Sequence, residues 1–130
     1  MSSFVDTNIL VRHLVGDPPD MARRATAFLA SEENLYLADL IVAETVYVLE
    51  SFYEIDRPRI SDAIRSLLAM ASVRVVDAPV LLRTFALYEE VRLDFADAYL
   101  VACAESTGVG KIASFDRAIS RILTVERIEP

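Results

Sequence analysis

Residues 4–10 read Phe-Val-Asp-Thr-Asn-Ile-Leu, and this stretch decides how the chain begins to fold. Its apolar start completes a short strand, expected at residues 3–5, and Asp6 stands where that strand ends. The polar residues that follow begin a helix, which we expect to run to about Val15. Because α/β sheets present their chemistry at the carboxyl ends of strands, Asp6 is the first candidate functional residue. Its structural alternative is the N-cap of this helix.

Strand-like and helical segments alternate along the rest of the chain, which is typical of a parallel sheet with helical crossovers. Further strands are expected at residues 35–37, 73–76, 111–114 and 124–126. Further helices are expected at residues 20–30, 40–52, 56–71, 77–92, 94–106 and 117–122. The sequence therefore predicts an α/β fold of three layers in a single domain over residues 1–130. Its small central parallel sheet is expected to have about four to five strands flanked by helices.

The composition restricts the class of protein and its location. Twenty acidic residues against 13 basic ones give a formal charge of −7, which disfavours a basic nucleic-acid-binding face but suits a pocket of carboxylates. No apolar run is long enough to span a membrane, and the N-terminus lacks the basic start of a signal peptide. The only cysteine, Cys103, can form no internal disulfide. We therefore expect a cytoplasmic protein that does not associate with a membrane.

Three further acids lie in settings where a charge needs an explanation. Glu44 and Asp97 interrupt helical stretches that are otherwise apolar, where an ionised carboxylate is costly unless a partner compensates it. Asp116 follows the fourth strand-like segment, much as Asp6 follows the first. The structural alternatives are a helix cap for Asp116 and a buried arginine as the partner of Glu44. Asp94 lies one helical turn before Asp97 and is the expected cap of that helix.

A bound cation would explain all four acids together. Two carboxylates about 4 Å apart repel each other by roughly 4 kcal/mol at an effective dielectric constant of about 20. Mg²⁺ and Mn²⁺ prefer oxygen ligands and would remove this repulsion, and the chain has no cluster of histidines and cysteines for zinc. A site of this kind activates water for attack on a phosphodiester. The acids therefore predict phosphodiester hydrolysis.

Several sequence segments together resemble the PIN domain family of ribonucleases, and more narrowly its VapC-type toxins. These segments are VDTNIL at residues 5–10, the glutamate in the helix of residues 40–52, DFADAYLVA at residues 94–102 and SFD at residues 114–116. The resemblance extends over the whole chain and includes GDPPDMARRA at residues 16–25. It implies a Mg²⁺- or Mn²⁺-dependent endoribonuclease that is the toxin of a type II toxin–antitoxin system.

The resemblance also implies roles for individual residues. The residues expected to be both catalytic and metal-binding are Asp6, Glu44, Asp97 and Asp116. The residues expected to support them are Thr7, Asn8, Asp94 and Ser114. The resemblance further implies RNA, often structured RNA such as tRNA, as the substrate, a homodimer, and inhibition by a small cognate antitoxin.

Other side chains carry further expectations. Arg12, Arg92 and Arg117 are expected to contact substrate phosphates, because arginine binds phosphate with two parallel hydrogen bonds. The tyrosines expected in the core are Tyr36, Tyr88 and Tyr99. The helix of residues 40–52 has more apolar surface than one core needs, which favours a dimer or antitoxin face, with a central core helix as the alternative.

Two other functions remain as alternatives. The first is a non-catalytic PIN-like module that binds RNA or protein, which the complete acidic set disfavours. The second is an aspartate-dependent phosphatase with its nucleophile at the end of the first strand. Thr7 and Asn8 follow Asp6, so the second acid that this phosphatase chemistry uses two residues later is absent.

Overall fold

Short parallel strands joined by helices form the framework of this protein, whose computed structural model describes residues 1–31 and 34–130. The described strands are β1 (Ser2–Phe4), β2 (Asn34–Tyr36), β3 (Val73–Arg74), β4 (Lys111–Ala113) and β5 (Glu126–Ile128). The described α-helices are α1 (Thr7–Val15), α2 (Pro19–Leu29), α3 (Asp39–Ser51), α4 (Arg57–Leu68), α5 (Ala78–Ala86) and α6 (Phe95–Thr107). A π-helical turn, Leu87–Val91, follows α5, and a 3₁₀ turn, Arg117–Arg121, follows β4. The chain divides into two compact units, Met1–Val76 and Asp77–Pro130.

The first unit contains a parallel sheet in which β2 lies between β1 and β3. Helices connect these strands because parallel neighbours cannot be joined by a tight turn. Leu35 of β2 is fully buried, whereas Phe4 and Tyr36 are exposed, so one face of the sheet is turned into the core and the other carries aromatic rings. Val5 N donates a hydrogen bond to Tyr36 O at 3.0 Å, which extends the pairing to the residue just before Asp6.

Helix ends in the first unit follow signals in the local sequence. Asp6 caps α1, since its Oδ1 accepts a hydrogen bond from Thr7 N at 2.8 Å. Gly16 ends α1 with a φ of 80°, a left-handed conformation that glycine adopts without strain. Asp56 caps α4, with Oδ1 accepting a hydrogen bond from the backbone N of Arg59, three residues on, at 3.0 Å. The chain therefore enters α1 with Asp6 fixed at the carboxyl end of β1.

The second unit packs α5 against α6 and pairs β4 with β5 in parallel. An aromatic cluster is formed by Phe85, Tyr88 and Phe95. The ring centroid of Phe85 lies 6.1 Å from that of Tyr88 and 5.3 Å from that of Phe95, and the centroids of Tyr88 and Phe95 lie 6.1 Å apart. Arg92 ends the π-helical turn with a φ of 62°, which few non-glycine residues adopt. Gly108 ends α6 with a φ of 75°, two residues after the end expected for this helix. These elements lead the chain into and out of α6, the helix that carries Asp97.

The α/β class predicted from the sequence is confirmed, with small parallel sheets and six α-helices in the described chain. The five described strands are distributed as three in the first unit and two in the second. The helix expected at residues 77–92 ends as an α-helix at Ala86, and β5 lies two residues beyond its expected start. None of the described helices has the length and apolar character needed to cross a bilayer. The single-domain organisation stays a prediction.

Two predictions about individual side chains are wrong. Tyr36, expected in the core, is 39% exposed, because its two neighbours in sequence occupy the buried face of the strand. Glu44, expected in an apolar environment, is exposed, because α3 turns one face to solvent. Leu40 and Tyr47 lie on that face and are 76% and 66% exposed. Tyr88, in contrast, is fully buried as predicted.

Candidate carboxylate site

Asp97 and Asp116 form a hydrogen-bonded carboxyl pair in the second unit. Asp97 lies in the first turn of α6, and Asp116 begins the 3₁₀ turn after β4. Burial, the hydrogen bond with Asp116 and the negative charges of Asp116 and Asp94 raise the pKa of Asp97 to about 6. The pKa of Asp116 is lowered. The largest cause is the hydrogen bond from the Ala118 backbone, and the next is the hydrogen bond from Asp97. Below about pH 6 the proton therefore resides on Asp97, which donates a hydrogen bond to an ionised Asp116.

Several hydrogen bonds fix the loop that carries Asp116. Ser114 Oγ accepts from Asp116 N at 2.9 Å, and Asp116 Oδ1 accepts from Ala118 N at 2.9 Å. Arg127 of β5 donates from Nη1 to Ser114 O at 2.8 Å. The positive charges of Arg121 and Arg127 also contribute to the lowered pKa of Asp116. Asp116 thus has the capping role considered from the sequence, and Arg127 is a supporting residue that the sequence did not reveal, because it comes from the strand whose start was misassigned.

Asp94 adds negative charge close to the carboxyl pair. It is the N-cap residue of α6, as predicted, but its carboxylate makes no capping hydrogen bond. Its charge instead raises the pKa of Asp97. The start of α6 therefore concentrates negative charge, which the positive end of the helix dipole only partly offsets.

The carboxyl pair suits a hard divalent cation in its donor chemistry. Within residues 1–31 and 34–130, no group of three or more His, Cys, Asp or Glu side chains is arranged to hold a metal ion. Mg²⁺, however, is commonly bound by one or two carboxylates, with water and substrate phosphate as its remaining ligands. Above about pH 6 the Asp97 proton is lost, and two adjacent negative charges remain with only oxygen donors. Asp97 and Asp116 therefore fit such a cation.

Asp6 and Glu44 belong to the first unit, where both carboxylates are exposed. Asp6 caps α1, which confirms the structural alternative considered for it. Next to it, Thr7 Oγ1 is buried and has no hydrogen-bond partner among the described residues. A buried hydroxyl without a partner is unusual, and it leaves an unused donor beside Asp6. Asn8 is exposed in the first turn of α1, and Glu44 is on the exposed face of α3.

The three arginines expected to contact phosphate have different surroundings. Arg12 on α1 donates from Nη1 to Asp17 O at 3.3 Å, and its Nε is buried without a partner in the described part of the chain. Arg12 also lines a groove of about 330 Å³ between α1 and α2. Arg92 is exposed just before Asp94, and Arg117 is exposed beside Asp116. Arg92 and Arg117 are thus neighbours in sequence of the charges that surround Asp97.

The sequence profile of the PIN domain family matches residues 3–123 of the chain. The match covers most of the sequence and runs through both units, so the protein belongs to the PIN domain family. Proteins of this family are generally nucleases that hydrolyse nucleic acid, and they generally use divalent metal ions. No curated protein is similar enough to the chain to count as a match.

Proposed function

We propose that this PIN domain protein is a Mg²⁺- or Mn²⁺-dependent endoribonuclease and the toxin component of a type II toxin–antitoxin system. The observation that carries the proposal is the carboxyl pair of Asp97 and Asp116, in which burial and a like charge raise the pKa of Asp97 to about 6. Carboxylates perturbed in this way are typical of functional sites. Membership of a family of nucleases supports the reaction class.

The proposed reaction uses Asp97 and Asp116 as oxygen ligands once Asp97 has lost its proton. Ala118 N donates a hydrogen bond to the Asp116 carboxylate, and Ser114 Oγ accepts one from the Asp116 backbone N–H, so the carboxylate needs little reordering when it binds a cation. When bound, a divalent cation neutralises charge on the phosphodiester and lowers the pKa of the attacking water. Asp6 and Glu44 are assigned to the same reaction from the sequence, as the other two catalytic and metal-binding carboxylates.

Arginines would hold the RNA backbone in the proposed reaction. Arg12, Arg92 and Arg117 are assigned to substrate phosphates, since a guanidinium donates two parallel hydrogen bonds to a phosphate. Supporting evidence for Arg12 is its buried Nε, a donor with no partner among the described residues. To bind phosphate, the Arg12 guanidinium would give up only the 3.3 Å hydrogen bond from Nη1 to Asp17 O, because Nε has no partner to lose among the described residues.

The proposed partners are a second copy of the chain and a small antitoxin. Supporting evidence is the exposed face of α3, on which Leu40 and Tyr47 are 76% and 66% exposed, with Phe52 76% exposed just after the helix. Exposed apolar side chains grouped on one helix are typical of a surface that another protein covers. We assign this face to the homodimer.

Cleavage of RNA by the purified protein tests the proposed function. Wild-type protein should cleave total tRNA or single-stranded RNA with Mg²⁺ or Mn²⁺ and stop in the presence of EDTA. Asp97→Asn and Asp116→Asn should each reduce the cleavage rate by about 100-fold or more, because they remove a charged oxygen ligand. Asp62→Asn, which changes an exposed acid on α4, is the matched control and should keep wild-type activity.

Two results would contradict the proposal. One is a folded Asp97→Asn protein that cleaves RNA at the wild-type rate. The other is a wild-type protein that binds RNA with either metal and never cleaves it, which would favour a non-catalytic binding module. Circular dichroism of each variant separates lost activity from lost folding.

A further inference from the structure

Three side chains form a row across the exposed face of the sheet in the first unit. Phe4 of β1 is paired in register with Tyr36 of β2, and Tyr36 is paired with Arg74 of β3. The ring centroids of Phe4 and Tyr36 lie 5.5 Å apart, with an angle of 38° between the ring planes. Phe4 is 77% exposed and Tyr36 is 39% exposed. We refer to these three residues as the aromatic row.

The aromatic row lies on the same side of the chain as Asp6. Side chains alternate along extended backbone, and Val5, between Phe4 and Asp6, is 4% exposed, whereas both of its neighbours are exposed. Asp6 itself is extended, with φ −84° and ψ 158°. Two residues of extended chain span roughly 7 Å. A nucleotide whose phosphate lies at Asp6 therefore has its base within reach of Phe4.

The fold alone does not account for this exposure. Both faces of a parallel sheet are usually covered, so strand residues are usually buried on both sides. An exposed phenylalanine leaves its apolar area in water and contributes little to stability. At the other end of the row, Arg74 donates from Nη1 to Ala71 O at 2.6 Å and to Val73 O at 3.1 Å, which anchors its guanidinium to the loop before β3.

We propose that the aromatic row is a stacking platform for an unpaired base of single-stranded RNA, next to the phosphodiester that is cleaved. The inference rests on the proposed function, because it takes Asp6 as one of the catalytic carboxylates. Every base has an aromatic face, so rings and a guanidinium plane accept bases with little regard to sequence. A paired base in a duplex does not offer that face. The preferred substrate is therefore single-stranded RNA.

The charge of the protein leaves base contacts as the main source of RNA affinity in the absence of metal. With a formal charge of −7, the chain lacks the excess of cations from which most RNA-binding proteins gain affinity for phosphate. Stacking involves uncharged rings and does not depend on that excess. Phe4 and Tyr36 thus supply a contact with RNA that does not require a basic surface.

Fluorescence anisotropy with a labelled oligouridine in EDTA and about 0.15 M salt tests the platform, because EDTA prevents cleavage and the salt screens the repulsion between the acidic protein and RNA. Phe4→Ala should weaken binding by roughly 5- to 150-fold, the loss expected for one stacked base. Phe4→Leu keeps apolar area without a ring and should also weaken binding, whereas Phe4→Trp should retain it. Leu123→Ala is the control, since Leu123 is 96% exposed in the second unit, and its affinity should equal that of the wild type. A labelled RNA duplex should bind more weakly and respond little to Phe4→Ala.

Two results would overturn the platform. They are the absence of oligouridine binding by the wild type and wild-type affinity in folded Phe4→Ala. If the molecular mass of Phe4→Ala by light scattering also changes in the second case, the row belongs to a protein interface. The proposed function fails separately: wild-type protein that binds oligouridine through Phe4 but cleaves no RNA with Mn²⁺ would retain the platform and lose the nuclease.

Discussion

Asp97 is the residue whose chemistry depends most on its surroundings. Its carboxyl group donates a hydrogen bond to Asp116 when protonated, and it adds a charge beside Asp116 and Asp94 when ionised. Burial is the largest cause of its raised pKa, and the neighbouring carboxylates add to it. In the absence of a cation, the ionised form therefore destabilises the folded protein, which is the pattern of a site kept for function at the expense of stability.

We expect Asp97→Asn to stabilise the metal-free protein at a pH near 8. The folded-state pKa is about 6 and the ordinary value is 3.8, so ionised Asp97 opposes folding above about pH 6. That penalty shrinks as the pH falls from about 6 towards the ordinary value, and it is absent below it. Asparagine keeps a hydrogen-bond donor for Asp116 and carries no charge. Because solvent screens a partly exposed group, we expect a gain of about 1 kcal/mol, or about 3 °C in melting temperature.

Thermal unfolding in EDTA at about pH 8 and about pH 5 measures this effect, with Asp62→Asn as the control for loss of a surface charge. The difference between Asp97→Asn and wild type should be larger at the higher pH. A lower melting temperature for Asp97→Asn at the higher pH would show that Asp97 stabilises the fold, and the functional explanation of its pKa would then be lost.

At the scale of elements, the π-helical turn Leu87–Val91 and Arg92 set the start of α6. A π-helical turn is rare and is often found at functional sites. The turn ends at Arg92 with a φ of 62°, where a glycine would be unstrained. This strained residue, Arg92, comes two positions before Asp94. It therefore combines an unfavourable backbone conformation with a positive charge close in sequence to Asp94 and Asp97.

We expect Arg92→Gly to raise the free energy of unfolding by up to about 1 kcal/mol, because glycine removes the left-handed strain, although it also makes the unfolded chain more flexible. Arg92→Ala should give no such gain, since alanine keeps the strain. Both variants should cleave RNA more slowly if Arg92 holds a phosphate. Urea unfolding of the three proteins measures the stabilities. Equal stability of Arg92→Gly and Arg92→Ala would contradict the strain argument.

Local signals were enough to predict most elements from the sequence. Asp6 and Gly108 mark helix ends by their own chemistry, and the structure has both helix ends there. The exposure of Glu44 was missed because α3 has apolar residues on more of its surface than the core covers. The sequence alone does not show which face of such a helix stays in water. The π-helical turn was missed because it has no side-chain signature. The hydrogen bond between Asp97 and Asp116 depends on the path of β4, which local patterns do not specify.

At the scale of the whole molecule, the chain is a member of the PIN domain family with a formal charge of −7. Such a charge keeps a protein soluble and repels RNA in the absence of metal. The proposed nuclease activity of so acidic a chain would therefore depend on cations that neutralise the carboxylates and on contacts with RNA that do not need a basic surface. For the exposed face of α3 we propose a different kind of contact, with another protein chain.

We expect the wild-type protein to be a homodimer in solution and Tyr47→Arg to be a monomer. Tyr47 is 66% exposed on α3, and a charge at this position would be buried without a partner in a dimer formed through that face. Size-exclusion chromatography with light scattering gives the molecular mass of each protein. A wild-type monomer, or a Tyr47→Arg dimer of unchanged stability, would contradict the assignment of this face.

Calorimetric titration of Mn²⁺ into the protein at neutral pH tests most directly whether Asp97 and Asp116 bind a divalent cation. The account predicts saturable binding by the wild type and by Asp62→Asn. Asp97→Asn and Asp116→Asn should each bind at least about 10-fold more weakly, because each lacks one ionised oxygen ligand. Equal Mn²⁺ affinity in all four folded proteins, or no Mn²⁺ binding by the wild type, would contradict it.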